Sequence, residues 1–349
     1  MTSSSDTVSQ LSVGDELVSR RAQATLLQVR DLTVRLEAST GGFVHAIEGV
    51  SLDVAAGEAV GILGESGCGK TTVALALLRL LPRDGQIVRG SVEFAGCDLV
   101  AADESELEKI RGAGISLIFQ EPGIALNPVM RVGDQVSEVI YAHRKWNWKR
   151  CREEAAAAVA EVFPRDAARI SRTYPHELSG GQRQRVLIAQ AIACGPALVI
   201  ADEPTAALDT TTQAEILALI KQLKQRLRVA LVLITHNPAL LVGLADRILV
   251  MYAGRVVEEG PLEQVYHEPL HPYTRGLLRS VPEPGSAGAA GPKTPLPTIP
   301  GSPPDLARLP AGCHFEPRCA DRMAVCTTRE PGEVRPEVAR RVRCFKYGG

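Results

Sequence analysis

Residues 58–71 read Glu-Ala-Val-Gly-Ile-Leu-Gly-Glu-Ser-Gly-Cys-Gly-Lys-Thr, and this stretch decides the fold. A strand-sized apolar run stops at Gly64. From there Gly64, Glu65, Ser66, Gly67, Cys68, Gly69, Lys70 and Thr71 satisfy the phosphate-loop pattern GxxxxGK[ST] without mismatch. The chemistry accounts for the spacing. Glycines let backbone N–H groups converge on a polyphosphate without Cβ clashes. The helix expected over Lys70–Leu81 adds the positive end of its dipole. Lys70 reaches the β- and γ-phosphates, the Thr71 hydroxyl ligates Mg²⁺, and Thr72 extends the hydroxyl set.

A second site lies downstream. The run ALVIADEP reads as a buried strand ending in Asp202 and Glu203. An Asp at the carboxyl end of such a strand holds Mg²⁺. Its neighbour faces the other way, because successive strand residues alternate, and it is free to polarise an attacking water. Between the two sites stands Leu178-Ser179-Gly180-Gly181-Gln182, opening a helix expected over Gly181–Ala193. A serine, two glycines and a helix N-terminus make a second anion-binding surface. One chain has no use for two such surfaces on one γ-phosphate, so this one is expected to close on the nucleotide of another subunit.

The remaining pattern is that of an α/β chain. EAVGILG, ISLIFQ, ALVIAD and VALVLITH are continuous apolar runs suited to a parallel sheet buried on both faces. LLQVRDLTVRLE and GSVEFAGCDL alternate like half-buried antiparallel strands. A helix is expected over Thr211–Leu227. Residues 131–178 hold no convincing strand and include the Ala-rich KRCREEAAAAVAEVF, which reads as a helical insertion. Residues 1–24 read as a flexible tail, and PEPGSAGAAGPKTPLPTIPGSPP as a linker or extended wrap.

Composition narrows the partners. The 349 residues are 45% hydrophobic, 23% charged and 4% aromatic, with a net charge of −1. No basic field points to nucleic acid. No apolar run approaches the 18 or more residues of a membrane helix, and the N-terminus lacks a signal-peptide pattern. The chain is therefore expected in the cytosol, meeting a membrane only through a partner.

Leu178–Gln182, placed after the phosphate loop and before the acidic strand, resembles the signature of the ATP-binding cassette family. The resemblance implies an α/β P-loop cassette with an antiparallel β subdomain and a helical insertion at about 125–182. It implies a tail at 1–24, the cassette over 25–267 and a C-terminal extension over 268–349. It also assigns roles. Gln120, after ISLIF, looks like the loop glutamine that contacts Mg²⁺ and the attacking water. Thr205–Asp209 looks like the loop that crosses the dimer interface, with Ala206 where the family commonly has Ser. His236 looks like the switch histidine on the γ-phosphate. Glu203, His236 and Gln120 are thus the catalytic candidates, and Thr71, Gln120 and Asp202 the Mg²⁺ set. ATP would be bound by Gly64–Thr72, Gln120, Ser179–Gln182 and Asp209. Phe43, with His45 behind it, is the candidate adenine platform; the other reading is a loop residue without contact.

Gly64–Gly67, Gln120–Pro128, Tyr174–Gly181 and His271–Leu278 resemble one branch, the ATP-binding subunits of dipeptide and oligopeptide importers, which also include nickel and some glycoside systems. The implied partners are a second cassette, identical or different, two transmembrane permease subunits and, indirectly, an external solute-binding protein, with the chain on the cytoplasmic face of the inner membrane. Cys313, Cys319, Cys326 and Cys344 are separated by 5, 6 and 17 residues. The resemblance implies a [4Fe–4S] cluster there. Cys₄ zinc and unmetallated buried thiols remain open, although structural zinc favours shorter steps. Outside transport, a soluble cassette ATPase acting on DNA or ribosomes is the competing class.

Overall fold

The computed structural model describes residues 25–37, 41–280 and 297–348. The expected tail and most of the expected linker lie outside these residues.

Two sheets organise the chain. Strands β1 (Thr25–Glu37), β2 (Phe43–Ala55), β4 (Gly85–Phe94) and β5 (Cys97–Asp98) form an antiparallel sheet in the order β2-β1-β4-β5. The larger sheet has eight strands and a parallel centre: β3 (Ala59–Leu63), β6 (Ile115–Ile118), β7 (Leu198–Asp202), β8 (Ala230–Thr235) and β9 (Arg247–Tyr252). It continues into antiparallel β10 (Arg255–Pro261), β11 (Val334–Glu337) and β12 (Arg340–Val342), giving the order β11-β12-β10-β9-β3-β8-β7-β6. Among the described residues, the α-helices of six or more residues are α1 (Lys70–Leu77), α2 (Glu104–Ile110), α3 (Val132–Arg144), α4 (Trp148–Val162), α5 (Gly180–Ile192), α6 (Thr210–Leu227), α7 (Leu262–His267) and α8 (Pro272–Arg279).

Alternation along the central strands explains the layering. Val60 and Ile62 of β3, Leu198 and Ile200 of β7, and Ala230, Val232 and Ile234 of β8 belong to a core shared with α1 and the antiparallel sheet. Their neighbours Leu63, Val199, Ala201, Leu231 and Leu233 belong to the opposite core, with α3, α4, α5 and α6. A strand buried on both faces reads as an unbroken apolar run for this reason. Because β3, β8, β7 and β6 are successive parallel neighbours, their carboxyl ends emerge at one edge, the place where α/β folds bind ligands.

Several local readings change. The first helix ends at Leu77 rather than Leu81. Arg79 takes a left-handed φ of 50°, its N–H donates to Ala76 O, and the Leu80 N–H donates back to Leu75 O, which closes the helix in a Schellman turn. GSVEFAGCDL is not one strand but the end of β4, a turn at Ala95–Gly96 and short β5. Strands β2, β9 and β10 were not anticipated. Nor was the joining of the last residues to the main sheet, where β12 pairs with β10, Glu258 opposite Val342.

That joint is strong. The buried Glu258 carboxylate accepts the backbone N–H groups of Leu270 and His271 and a 3.0 Å bond from the buried Arg340 guanidinium. His271 in turn accepts the Tyr273 N–H on Nδ1 at 3.0 Å. Burial lowers its pKa to about 3, so it stays neutral.

Candidate nucleotide-binding site

The loop between β3 and α1 is shaped by close approach. A Cβ on Gly64 would lie 2.4 Å from Met251 O, and one on Gly69, at φ 101°, would lie 2.5 Å from Ala46 O. Gly69 caps α1 with no side-chain bond, and no acidic residue stands in the first turn. The first N–H groups of α1 are thus left open to an anion. Lys70 is buried and donates from Nζ to the carbonyls of Gly64 (2.8 Å) and Glu65 (2.9 Å). Cys68 is also buried, which raises its thiol pKa.

Glu65, Ser66, Gly67, Gly69, Lys70, Thr71 and Thr72 line a cavity of about 630 Å³, and Gln120, Glu203 and His236 line it with them. The volume lies within the range of small-molecule sites. Glu203 follows β7 and His236 follows β8, so adjacent parallel strands deliver both. His236 Nδ1 is 3.1 Å from Glu203 Oε2. Glu203 occupies a left-handed φ of 44°, held by its N–H on Ile234 O at 3.0 Å. Such strain in a non-glycine residue persists only where surrounding structure enforces it.

Asp202 is buried at the end of β7 and lines, with Thr71 and Gln120, a groove adjoining the cavity rather than the cavity itself. Burial pushes its carboxyl pKa above the ordinary 3.8. Its Oδ1 has no partner. A hydroxyl and an orphaned carboxylate oxygen side by side are the hard oxygen donors that Mg²⁺ takes, so these residues fit that ion. Gln120 also lines a neighbouring groove toward the helical segment, with Phe119, Ile124, Val139 and Leu187.

Other candidates lie elsewhere. Ser179, Gly180, Gly181, Gln182 and Asp209 do not line the cavity. Ser179 caps α5, its Oγ accepting the Gln182 N–H while Gln182 Oε1 accepts the Ser179 N–H. Asp209 caps α6, accepting Thr211 N–H, Thr212 N–H and the Thr212 hydroxyl, and these bonds lower its pKa. Phe43 is 60% exposed at the start of β2, with the Arg35 guanidinium 3.9 Å from its ring centroid, and it is not among the lining residues.

The cavity also has walls the sequence reading missed: Leu36 and Ala46 from the antiparallel sheet, and Leu277, Ser280 and Leu306 from the C-terminal extension. HPYTRGLL, whose Leu277 lies in α8, was the available signal.

Cys313, Cys319, Cys326 and Cys344 line one small cavity with His271 and Phe315. Burial is the main cause that raises the Cys313 thiol pKa to about 11 and lifts those of Cys319 and Cys344; neighbouring thiols add to it. Among the described residues, however, no group of three or more His, Cys, Asp or Glu is placed to hold a metal ion.

Comparison with known proteins places these features in context. The profile of the ABC transporter family matches residues 47–206, and that of the oligopeptide/dipeptide transporter C-terminal region matches 257–326. The oligopeptide transport ATP-binding protein OppD of Salmonella typhimurium is 45% identical over 309 residues, covering 88% of this chain and 90% of that protein. The dipeptide transport ATP-binding protein DppD of Bacillus subtilis is 42% identical over 321 residues, covering 92% and 94%. Among solved structures, the dimeric post-hydrolysis state of the cassette MJ0796, bound to ADP and Pi, superposes with a TM-score of 0.60 at 29% identity. It covers 68% of this chain and 98% of that one.

Proposed function

The chain belongs to the ABC transporter family of ATP-binding cassettes, with the C-terminal region of the oligopeptide/dipeptide branch, and on that premise we propose that it drives uptake of di- and oligopeptides. It is an ATPase subunit. The observation that carries the mechanism is the convergence of Lys70, Thr71, Gln120, Glu203 and His236 on one cavity from which Ser179–Gln182 are absent.

In this reading Lys70 and the open N–H groups of α1 receive the β- and γ-phosphates. Thr71 and Asp202 would hold Mg²⁺, which neutralises phosphate charge when bound. Glu203 orients the attacking water, His236 stays within reach of the γ-phosphate, and Gln120 senses both through its place beside the helical groove. The Ser179–Gly181 tip of a second cassette, identical or different, closes over the nucleotide. Closure excludes water from the phosphates and fixes the transition-state geometry. Loss of the γ-phosphate releases the two halves, and Gln120 passes that movement to the helical segment and on to two permease subunits. The chain would sit on the cytoplasmic face of the membrane through those partners, with a solute-binding protein outside. No helix among the described residues is long and apolar enough to cross a membrane.

For the four cysteines we favour a [4Fe–4S] cluster of structural role. The reading rests on four thiols that line one small cavity, which any metal centre there would have to fill. Iron and sulfide analysis of anaerobically purified protein tests this, and a metal-free product with full stability rejects it.

The central experiment is Glu203→Gln in the assembled transporter. ATP binding is retained and steady-state hydrolysis falls by about 100-fold; unchanged turnover overturns the mechanism. Peptide should stimulate the wild-type complex. Stimulation by nickel or a glycoside instead would reassign the cargo while leaving the ATPase intact.

A further inference from the structure

Glu65 is an odd residue for a loop that surrounds polyphosphate, because its carboxylate repels the ligand. The structure answers that charge from far along the chain. Arg318, 253 residues later, forks onto it, Nη1 to Oε2 at 2.7 Å and Nη2 to Oε1 at 2.9 Å. The Glu65 backbone N–H donates to the Tyr273 hydroxyl oxygen at 2.9 Å. One loop residue is therefore gripped at both side chain and main chain by the C-terminal extension.

The grip is rigid. Arg318 is 8% exposed and donates from Nε to Pro300 O at 2.8 Å. Its guanidinium lies 5.8 Å from the Tyr252 ring centroid. Tyr252, Tyr273 and Phe315 pack on one another with centroids 4.6, 5.1 and 5.4 Å apart. A planar, permanently charged fork matches a carboxylate in two parallel bonds, which a lysine cannot reproduce. Leu277, Ser280 and Leu306 of the same extension line the cavity itself.

We propose that Arg318 and Tyr273 are positioning residues of the nucleotide site, through which the C-terminal extension holds the phosphate loop in its receiving shape and cancels the charge of Glu65. This rests on the ATP site described above. The extension is thereby part of the nucleotide pocket, and the segment that carries Cys319 next to Arg318 is mechanically tied to the phosphates.

The test uses the full chain and a fluorescent N-methylanthraniloyl ADP with Mg²⁺, with melting temperatures recorded alongside. Arg318→Gln should weaken nucleotide binding by about tenfold and raise KM for ATP more than it lowers kcat. Arg318→Lys should fall between it and wild type. Glu65→Gln removes the grip and the repulsive charge together, so Arg318→Gln added to it should cost far less than the roughly tenfold it costs alone, as coupled partners do. If Arg318→Gln fails to fold, Tyr273→Phe, which deletes one oxygen, carries the test with a loss of about threefold. An unchanged dissociation constant in a folded Arg318→Gln or Tyr273→Phe protein, or multiplicative Arg318 and Glu65 effects, would overturn the proposal. Failure of the wild-type chain to bind the probe would count against the ATP site instead.

Discussion

The molecule carries two glycine-bearing helix N-termini, and they are finished differently. At the start of α1 the cap is Gly69, which offers no side chain, and the N–H groups are left open. Lys70, Thr71, Gln120, Glu203 and His236 surround the cavity they face. At the start of α5, Ser179 and Gln182 cap each other, and neither lines that cavity. The first gathers its surrounding groups from its own fold. The second is a tip whose Ser179 and Gln182 N–H groups are satisfied locally by each other's side chains. Glycine and a helix dipole supply anion affinity at both, but only the surroundings turn affinity into chemistry.

The largest effect that separates them is on nucleotide affinity. Lys70→Ala should weaken Mg-ATP binding to the lone chain by about 100-fold, because a buried charged donor is lost. Ser179→Tyr should leave lone-chain affinity near wild type, read by equilibrium titration, and lower turnover of the assembled complex by at least about tenfold. A Ser179→Tyr protein that hydrolyses at full rate in the complex would make the two helix tips equivalent in irrelevance, and the comparison would fail.

The first site was legible because it is local. Strand, loop and helix occupy 58–77 without interruption, and local sequence dictates each piece. The carboxyl ends of β6, β7 and β8 were legible for a related reason: buried parallel strands read as apolar runs, and the residue after each falls at the ligand edge. What escaped depends on contacts remote in sequence. Nothing near Glu65 announces Arg318, and nothing near β10 announces β12. Strand β2 was obscured by Gly49 at φ 63°, where the β1–β2 register shifts and the alternation breaks. Phe43, chosen for its distance along the chain, does not itself line the cavity, although Leu36 and Ala46 of the same strand pair do. Asp209 sits in the expected motif, yet in this chain its bonds all serve the cap of α6.

A smaller effect probes how the second tip is built. A Cβ on Gly181 would lie 2.4 Å from Thr212 Cγ2, and Thr212 is pinned by its hydroxyl on Asp209 at 2.7 Å. Gly181→Ala should therefore destabilise the chain by about 1 to 2 kcal/mol through overpacking. Adding Thr212→Ser, which removes the offending methyl and keeps the hydroxyl, should restore the melting temperature. If the double variant melts with the single one, the glycine is not there to admit α6.

The smallest effect is a difference in pH response. The tip Ser179–Gln182 contains no titratable group, whereas the first site is flanked by Asp202, whose pKa burial raises above 3.8. The sign follows from which form each process needs. With the folded value raised, the folded chain binds the proton more tightly than the unfolded chain, so this residue favours folding at low pH and costs stability as pH rises through the folded value. Mg²⁺ needs the carboxylate, so metal-supported nucleotide binding runs the other way and weakens on acidification. The Mg²⁺ concentration for half-maximal nucleotide retention should rise a few-fold more between pH 7.5 and 5.5 in wild type than in Asp202→Asn, a comparison that removes the nucleotide's own titration. Identical pH profiles in the two proteins would show that Asp202 does not face the metal. The orphaned Oδ1 beside Thr71 would then be a packing defect, and the first site would lose the feature that most distinguishes it from the second.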